Sequence, residues 1–590
     1  MGQRSRELSA TLGLACGLLA GSVSAAHADT RPNIVVLLVD DAGLMDFEPF
    51  GGEARMPNVS RLAAQGTRFS GYHTSPLCAP SRAMLLTGVD NHRTGIATIP
   101  EVLPAEHEDA PGYSMSFEPG VETLADRLQR EGYRTLMTGK WHLGSDEGDL
   151  PNHHGFDRSF ALDASGADNW EQRSYMPYYA TAPWFEDGKP ADLPEDFYSS
   201  KFMVDQMITY LDEEKEQPFF AYVAFQAIHI PVQAPREFTD NYIGVYDAGW
   251  HKLREDRWQR AKALGLIPAH APLAPMPPNT RDWDGLTEEQ RTYYARAMSV
   301  NAGMLEAMDF HIGRLMDHLA ARGELENTIF IVTSDNGPEP SDLTRTRGTD
   351  LWMAMSGYNM DIETLGEKGS LVSIGSEWAN AAAAPGNLFK FYATEGGIRV
   401  PLIISGPGVP SGKMVSSLSF VTDIAPTLMD LVGVTSDGDE PVDMTGRSLM
   451  PVLTGTAAET HPVDQAVGME VAGNSALFKN GYKLTRNTPP YGDNVWRLYD
   501  LARDPGEVTD LKEGEPARFA QMMADYDAYA AEFGVQTMPA GFDHLKQIRT
   551  NTLKKLFAAN HAYIIGALLL IMAGLFFALR AIWRLVRPVG

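Results

Sequence analysis

The sequence predicts an α/β fold: a large, mainly parallel or mixed sheet flanked by helices, a small C-terminal α+β subdomain, and a C-terminal transmembrane helix. Three observations predict it. Residues 33–41 (NIVVLLVDD) and 327–336 (NTIFIVTSDN) are unbroken apolar runs ending in acidic or amide residues, the pattern of strands buried on both faces. Helical periodicity separates such runs, which is the alternation of a layered α/β domain. Residues 562–579 (AYIIGALLLIMAGLFFAL) carry no charge and reach the length of a membrane span.

The elements follow in order. Residues 1–28 read as an export signal: Arg4 and Arg6, an apolar run over 10–25, then AHA at 26–28. A catalytic-size domain is expected over 29–455. Its further strands are 133–138, 218–225 and 400–405, and its long helix is 298–319, with Met298, Leu305, Met308, Ile312, Leu315 and Leu319 on one face and Gly323 as the stop. Two stretches show little regular pattern: the proline-rich 265–283 and a long insertion at 338–394. Short strands at 476–486 and 495–501 and a helix near 514–533 suggest the small subdomain, set at 456–535. A tether (536–561), a span (562–583) with Tyr563 and Trp583 near its edges, and a cytoplasmic tail (584–590) complete the chain. Together with the signal, this reading puts the large domain in the periplasm, anchored in a bacterial inner membrane.

The chain has 590 residues, 49 Lys and Arg against 76 Asp and Glu, and a net charge of −27. A nucleic-acid partner is excluded, since phosphate binding needs a basic face. There are 2 cysteines. Cys16 leaves with the signal, so Cys78 stands alone and no intramolecular disulfide forms.

Asp40, Asp41, Asp335 and Asn336 are oxygen donors at the ends of two strands. Either pair alone would read as a helix cap. Two pairs at equivalent strand ends point to a divalent metal of the calcium or magnesium kind, because hard cations take oxygen ligands. In SPLCAPSRAMLLTG (75–88), Pro80 reads as a first helical residue and Gly88 as the stop. Cys78 then sits at a helix N-terminus beside Arg82, and on these residues alone it reads as an activated thiolate.

CAPSRAMLLTG (78–88) resembles the signature of the sulfatases, a formylglycine-dependent family of the alkaline-phosphatase-like superfamily. VDDAG (39–43), GKWHLG (139–144), AIHIPVQAP (227–235), TSDNG (333–337), KFYATEGGIRVP (390–401), TDIAPTLMDLVGV (422–434) and GRSLMPVLTG (446–455) follow in family order, and LYDLARDPGEVTDL (498–511) resembles its C-terminal part. The chain looks most like bacterial arylsulfatases.

The resemblance implies the rest. A maturase would convert Cys78 to formylglycine, whose hydrate is the nucleophile. Asp40, Asp41, Asp335 and Asn336, with the modified Cys78, would hold Ca2+, with Mg2+ as the alternative. Arg82 would hold the hydrate and sulfate oxygens. Lys140 and Lys390 would neutralise the transferring group. His229 would protonate the leaving oxygen, and His142 would act as base on the hydrate. His73 and His92 receive no role. The implied reaction is hydrolysis of a small sulfate monoester. The alternatives are a phosphonate monoester or phosphodiester hydrolase of the same superfamily, and a silent protein that holds sulfated glycans.

Overall fold

The computed structural model describes residues 31–586, apart from 180, 214–216, 346–347 and 435–441; the side chains of 562–564, 567 and 584–586 are also left out. The expected signal (1–28) lies outside the described residues, as does 587–590 of the expected tail.

Sixteen strands are described. They are β1 Asn33–Val39, β2 Thr67–Phe69, β3 Tyr72–His73, β4 Arg134–Lys140, β5 Arg158–Leu162, β6 Trp184–Glu186, β7 Lys189–Pro190, β8 Phe219–Ala224, β9 Thr328–Ser334, β10 Leu402–Ser405, β11 Lys413–Val415, β12 Ser419–Phe420, β13 Val467–Val471, β14 Asn474–Lys479, β15 Tyr482–Arg486 and β16 Arg497–Asp500. A 10-stranded sheet runs β11-β2-β10-β9-β1-β8-β4-β5-β6-β7. From β9 to β5 neighbours are parallel, while β10 runs against β9 and β6 against β5. The expected large mixed α/β sheet is therefore present.

β1 explains why its apolar run does not alternate. It pairs with β8 on one side and β9 on the other, and all seven of its residues are buried. A strand closed on both edges and both faces has no polar side to show. Its register sets the site: Val39 lies beside Ser334, so Asp40 and Asp335 leave adjacent strands at the same height. β4 reaches the same edge through Gly139, opposite Ala224, with Lys140 as its last residue. Gly139 has φ +108°, and a Cβ there would lie 2.0 Å from the Ala224 carbonyl oxygen, so only glycine lets β4 approach β8 this closely.

The helix Cys78–Thr87 is buried along its whole length and ends at Gly88 in the left-handed conformation, φ 72°. It starts at Cys78 rather than Pro80, because extended Leu77 is the residue before the first turn. Proline is accommodated in that turn since its missing N–H would have no intrahelical acceptor. The long helix begins earlier than its apolar stripe suggests, at Glu288, where Thr287 and Gln290 form a reciprocal cap.

The two stretches that lack pattern in the sequence are packed together. Trp378, in a short helix of the 338–394 insertion, meets Trp250 at 5.7 Å and Trp283 at 5.6 Å between ring centres. Aromatic burial, not backbone periodicity, orders them.

A 4-stranded antiparallel sheet, β13-β14-β15-β16, packs against the helix Pro516–Phe533 through Leu477, Leu484, Leu498, Met522, Tyr526 and Tyr529. Buried charges tie this unit to the large sheet's layer. His92 bonds Glu470 at 2.8 Å and Asp90 at 3.1 Å, and Tyr529 donates to Asp90 at 2.9 Å. Lys483 bridges Glu395 and Glu507 at 2.8 Å each, and Glu395 also faces His73.

The expected transmembrane helix is corrected. Among the described residues no helix is long and apolar enough to cross a membrane. The apolar run belongs to a 43-residue helix, His544–Val586, whose first turns are polar. The expected membrane partner rested on that span.

The His92 tie gives a pH prediction. Burial pushes the imidazole down, but Asp90 and Glu470 outweigh it and hold His92 at about 9. The folded value exceeds the ordinary one, so the stabilisation is complete below about pH 6.5 and fades as pH rises through 9. The full effect is about 3 kcal/mol. Unfolding measured from pH 6.5 to 9.5 should show wild type losing this stability while His92→Gln, already weaker at pH 6.5, does not. Parallel profiles for the two proteins would refute the assignment.

Candidate active site

The carboxyl ends of β1, β9, β8 and β4 converge, and every site residue singled out from the sequence lies there or is brought there. Asp40 and Asp41 follow β1, Asp335 and Asn336 follow β9, and Lys140 ends β4. The β1–β8 pairing continues past the strands, with Asp40 N donating to Ala227 O at 2.7 Å and Ile228 N to Asp40 O at 2.6 Å. That ladder delivers His229. Lys390 comes from the far end of the insertion: its backbone N donates to Pro338 O at 3.1 Å, and Phe391 N donates to Pro76 O at 2.9 Å, beside the Cys78 turn. Three non-glycine residues around the site, Asp41, His142 and Phe391, have positive φ of 70°, 60° and 78°. Such conformations cost of order 1–3 kcal/mol each and persist where the surroundings dictate them.

The charges are interlocked. Lys140 Nζ lies 2.6 Å from Asp40 Oδ2. Arg82 donates from Nε and Nη2 to Asp335 Oδ2 at 3.0 and 2.8 Å, and from Nη1 to the Lys140 carbonyl at 2.9 Å. Its Nη2 is also 3.3 Å from Asp40. Lys390 Nζ lies 2.8 Å from Asp41 and 2.9 Å from Glu339. Asn336 Nδ2 donates to Asp41 Oδ1 at 2.6 Å. His229 Nδ1 bonds the Ile230 carbonyl at 2.6 Å, leaving Nε2 free and 3.8 Å from Asp41 Oδ2. All of these side chains are buried; His142 is partly exposed.

Burial governs their protonation. It holds Asp41 well above the ordinary carboxylate range; Lys390 opposes this, while Asp40, Glu339 and Asp335 add to it. Asp335 is raised for the same reasons. Burial also pushes Glu339 up, but Lys390 and His229 pull harder and leave it at about 2. His142 and His229 are held well below the ordinary value, first by burial and then by Lys140 and the other nearby cations. Cys78 does not match the activated thiolate of the sequence reading. Burial lifts its thiol to about 11, and Lys140 and Lys390 offset only part of this. The helix N-terminus is there, but water is not, and desolvation wins.

The donor set fits a divalent cation. Asp40 Oδ1 and Asn336 Oδ1 are buried acceptors with no partner, and orphaned buried acceptors are costly unless something fills the role. Asp40, Cys78 and Asp335 offer ligand atoms within 4.8 Å of one another, as do Asp40, Asp41 and His229. Hard oxygen donors predominate, as calcium and magnesium require.

Sequence reasoning missed Glu339 and Tyr175. Glu339 sits two residues past the SDNG motif between prolines, where nothing marks it as a partner for Lys390. Tyr175 meets the His229 ring edge-on at 5.7 Å and bonds Ser165 at 2.8 Å; it lies in a stretch without periodic pattern. The C-terminal helix also reaches this region. The His544 ring stacks on Phe391 at 4.7 Å, and Asn551 Nδ2 donates to the carbonyls of Pro100, Glu101 and Leu103. His73 and His92 stay out of the site, in the buried ties described above.

Acidic and amide oxygens, two lysines and an arginine packed around a cysteine at the carboxyl edge of a mixed sheet define a metal-assisted hydrolase of anionic esters. Comparison with known proteins makes the assignment specific. The model of the Sulfatase family matches residues 32–434, and residues 386–526 match one described as N-sulphoglucosamine sulphohydrolase, C-terminal. An arylsulfatase of Klebsiella aerogenes is 38% identical over 450 residues, covering 74% of this chain and 93% of its own. An uncharacterized sulfatase of Schizosaccharomyces pombe is 36% identical over 534 residues, covering 87% and 96%. Among solved structures, that of Ps i-CgsB in complex with k-i-k-neocarrahexaose superposes with a TM-score of 0.61 at 22% identity, over 89% of this chain and 99% of that one. The chain belongs to the sulfatase family, and its activity is sulfate-ester hydrolysis.

The metal reading is testable without turnover. Added Ca2+ should stabilise the chelator-treated protein, by about 2.7 kcal/mol at a hundred times the dissociation constant. Asp40→Asn together with Asn336→Ala should abolish the shift. An unchanged Ca2+ response in that double variant would show that the ion binds elsewhere.

Proposed function

We propose that this chain is an exported, arylsulfatase-like enzyme that cleaves sulfate monoesters to an alcohol or phenol and sulfate, with Cys78 acting as formylglycine after a maturase has oxidised it. The observation that carries the reading is the pair of unpartnered acceptors, Asp40 Oδ1 and Asn336 Oδ1, beside Cys78 within reach of Lys140 and Lys390. The elevated thiol of Cys78 agrees with it, since a thiol kept protonated at neutral pH is a poor nucleophile in its own right. The charged start of residues 1–28 supports export.

A calcium ion on Asp40, Asp41, Asp335, Asn336 and the modified Cys78 would supply Lewis acidity toward a sulfate oxygen; magnesium is the alternative. The chain's own groups do the rest. Arg82, fixed on Asp335 and on the Lys140 carbonyl, holds the formylglycine hydrate and the sulfate oxygens at the mouth of the helix. Lys140 and Lys390 offset charge that grows on the transferring group in a site closed to water. His229 has its Nδ1–H committed to the Ile230 carbonyl, so Nε2 is the nitrogen left to exchange a proton with the leaving oxygen, and it donates once the ring has taken up a proton in the presence of the anionic ester. His142, partly exposed and with a buried, unpartnered Nδ1, is placed to take a proton from the hydrate.

Two measurements test this. The first compares kcat/KM on 4-nitrophenyl sulfate with that on a 4-nitrophenyl phosphonate ester, using protein co-expressed with a maturase. Sulfate should be preferred, and Cys78→Ala should remove at least about 10³-fold of the activity. Preference for the phosphonate would instead favour a phosphonate monoester hydrolase of the same superfamily. The second tests the proton donor. His229→Ala should impair an alkyl sulfate far more than 4-nitrophenyl sulfate, because 4-nitrophenolate leaves without a proton. Equal losses on both substrates would remove His229 from that role.

A further inference from the structure

A cavity of about 1050 Å³ lies between the edge strand β11, the end of β2 and the β14–β15 hairpin. None of the active-site residues described above lines it. Its walls hold two cations that have no carboxylate within ion-pair distance among the described residues. Lys413 Nζ donates only to the Val452 and Leu453 carbonyls, at 2.7 and 3.1 Å, and an ammonium has a third proton to give. Arg399 uses Nε and Nη2 on the Ser70 and Leu266 carbonyls, at 2.7 and 2.8 Å. Burial holds its guanidinium below the ordinary value, and Glu395 is the charge that opposes this.

Most other charged groups of the wall have partners of their own. Glu395 is engaged by Lys483 at 2.8 Å and by His73 at 3.2 Å. Lys479 is paired with Asp525 at 2.8 Å. Glu459 stands exposed at the rim. His461 adds a group that becomes a donor on protonation: its Nε2 lies 3.0 Å from Asp423 Oδ2, so Nε2 carries the hydrogen, while Nδ1 is buried without a partner and can give a proton to an oxyanion once the ring is charged. In a chain of net charge −27, cations have many carboxylates to pair with. Two that go without one among the described residues, around one cavity and beside an imidazole that gains a second N–H on protonation, make a place for an anion.

We propose that this cavity is a second, non-catalytic oxyanion site, which binds a sulfate or carboxylate group through Arg399, Lys413 and His461. The group arrives either as the free ion or on an acidic saccharide. Charge-assisted bonds from a guanidinium and an ammonium are the geometry such groups select.

The test is calorimetric titration of the full chain at constant ionic strength, with sodium sulfate in one arm and a sulfated disaccharide in the other. A Lys140→Met background weakens the catalytic pocket's own hold on sulfate. One binding event should remain, and Lys413→Met should weaken it at least about tenfold. Arg399 ties two backbone segments, so Arg399→Gln risks unfolding; Lys413→Met and His461→Phe read the site without that risk. Tighter binding of the disaccharide would identify a saccharide-borne group, and equal binding would identify the free ion. Absence of binding for both probes at about 10 mM, or binding unchanged in Lys413→Met and His461→Phe, overturns the proposal.

Discussion

Four buried carboxylates, Asp40, Asp41, Asp335 and Glu339, share one small volume with three fixed cations, Arg82, Lys140 and Lys390. Each charge is affordable only because the others are there; removing one member leaves its partner buried and unpaired, which costs several kcal/mol. The rest of the molecule meets the demand this makes for exact placement. Parallel β1, β8 and β9 fix the acids in register. The glycine at 139 lets β4 come close enough for Lys140 to reach Asp40. The insertion folds back so that Lys390 lands between Asp41 and Glu339.

That arrangement also explains why a nucleophile based on an ordinary thiol would work poorly here. The same desolvation that strengthens every ion pair in the cluster favours the neutral form of Cys78. A site built to grip a sulfate ester anion and its departing oxygen is hostile to a thiolate. The oxygen nucleophile proposed above would not face this conflict.

The sheet was legible because its central strands are closed on all sides, so β1 and β9 carry unbroken apolar runs that point at their own acidic ends. The cysteine helix was legible because Gly88 and the prolines punctuate it, although Pro80 proved to be its third residue. What escaped was held by side chains distant in sequence. Trp250, Trp283 and Trp378 order two segments that have no period of their own. Glu339 earns its place only through Lys390, fifty-one positions later. The thiol's state depends on burial, which a helix-terminus argument does not include. The apolar run near the C-terminus carried a length argument, whereas the helix that contains it begins as a polar element docked beside Phe391.

The tie formed by His73, Glu395, Lys483 and Glu507 has a bearing on how the molecule is made. His73 lies just ahead of Cys78, and the lysine that completes its pin is 410 residues further along the chain. At about 5–20 residues per second, a ribosome needs roughly 20–80 s to bridge that gap. Throughout that interval the strand before Cys78 lacks its final anchor, so the cysteine segment is among the last parts of the enzyme to be locked.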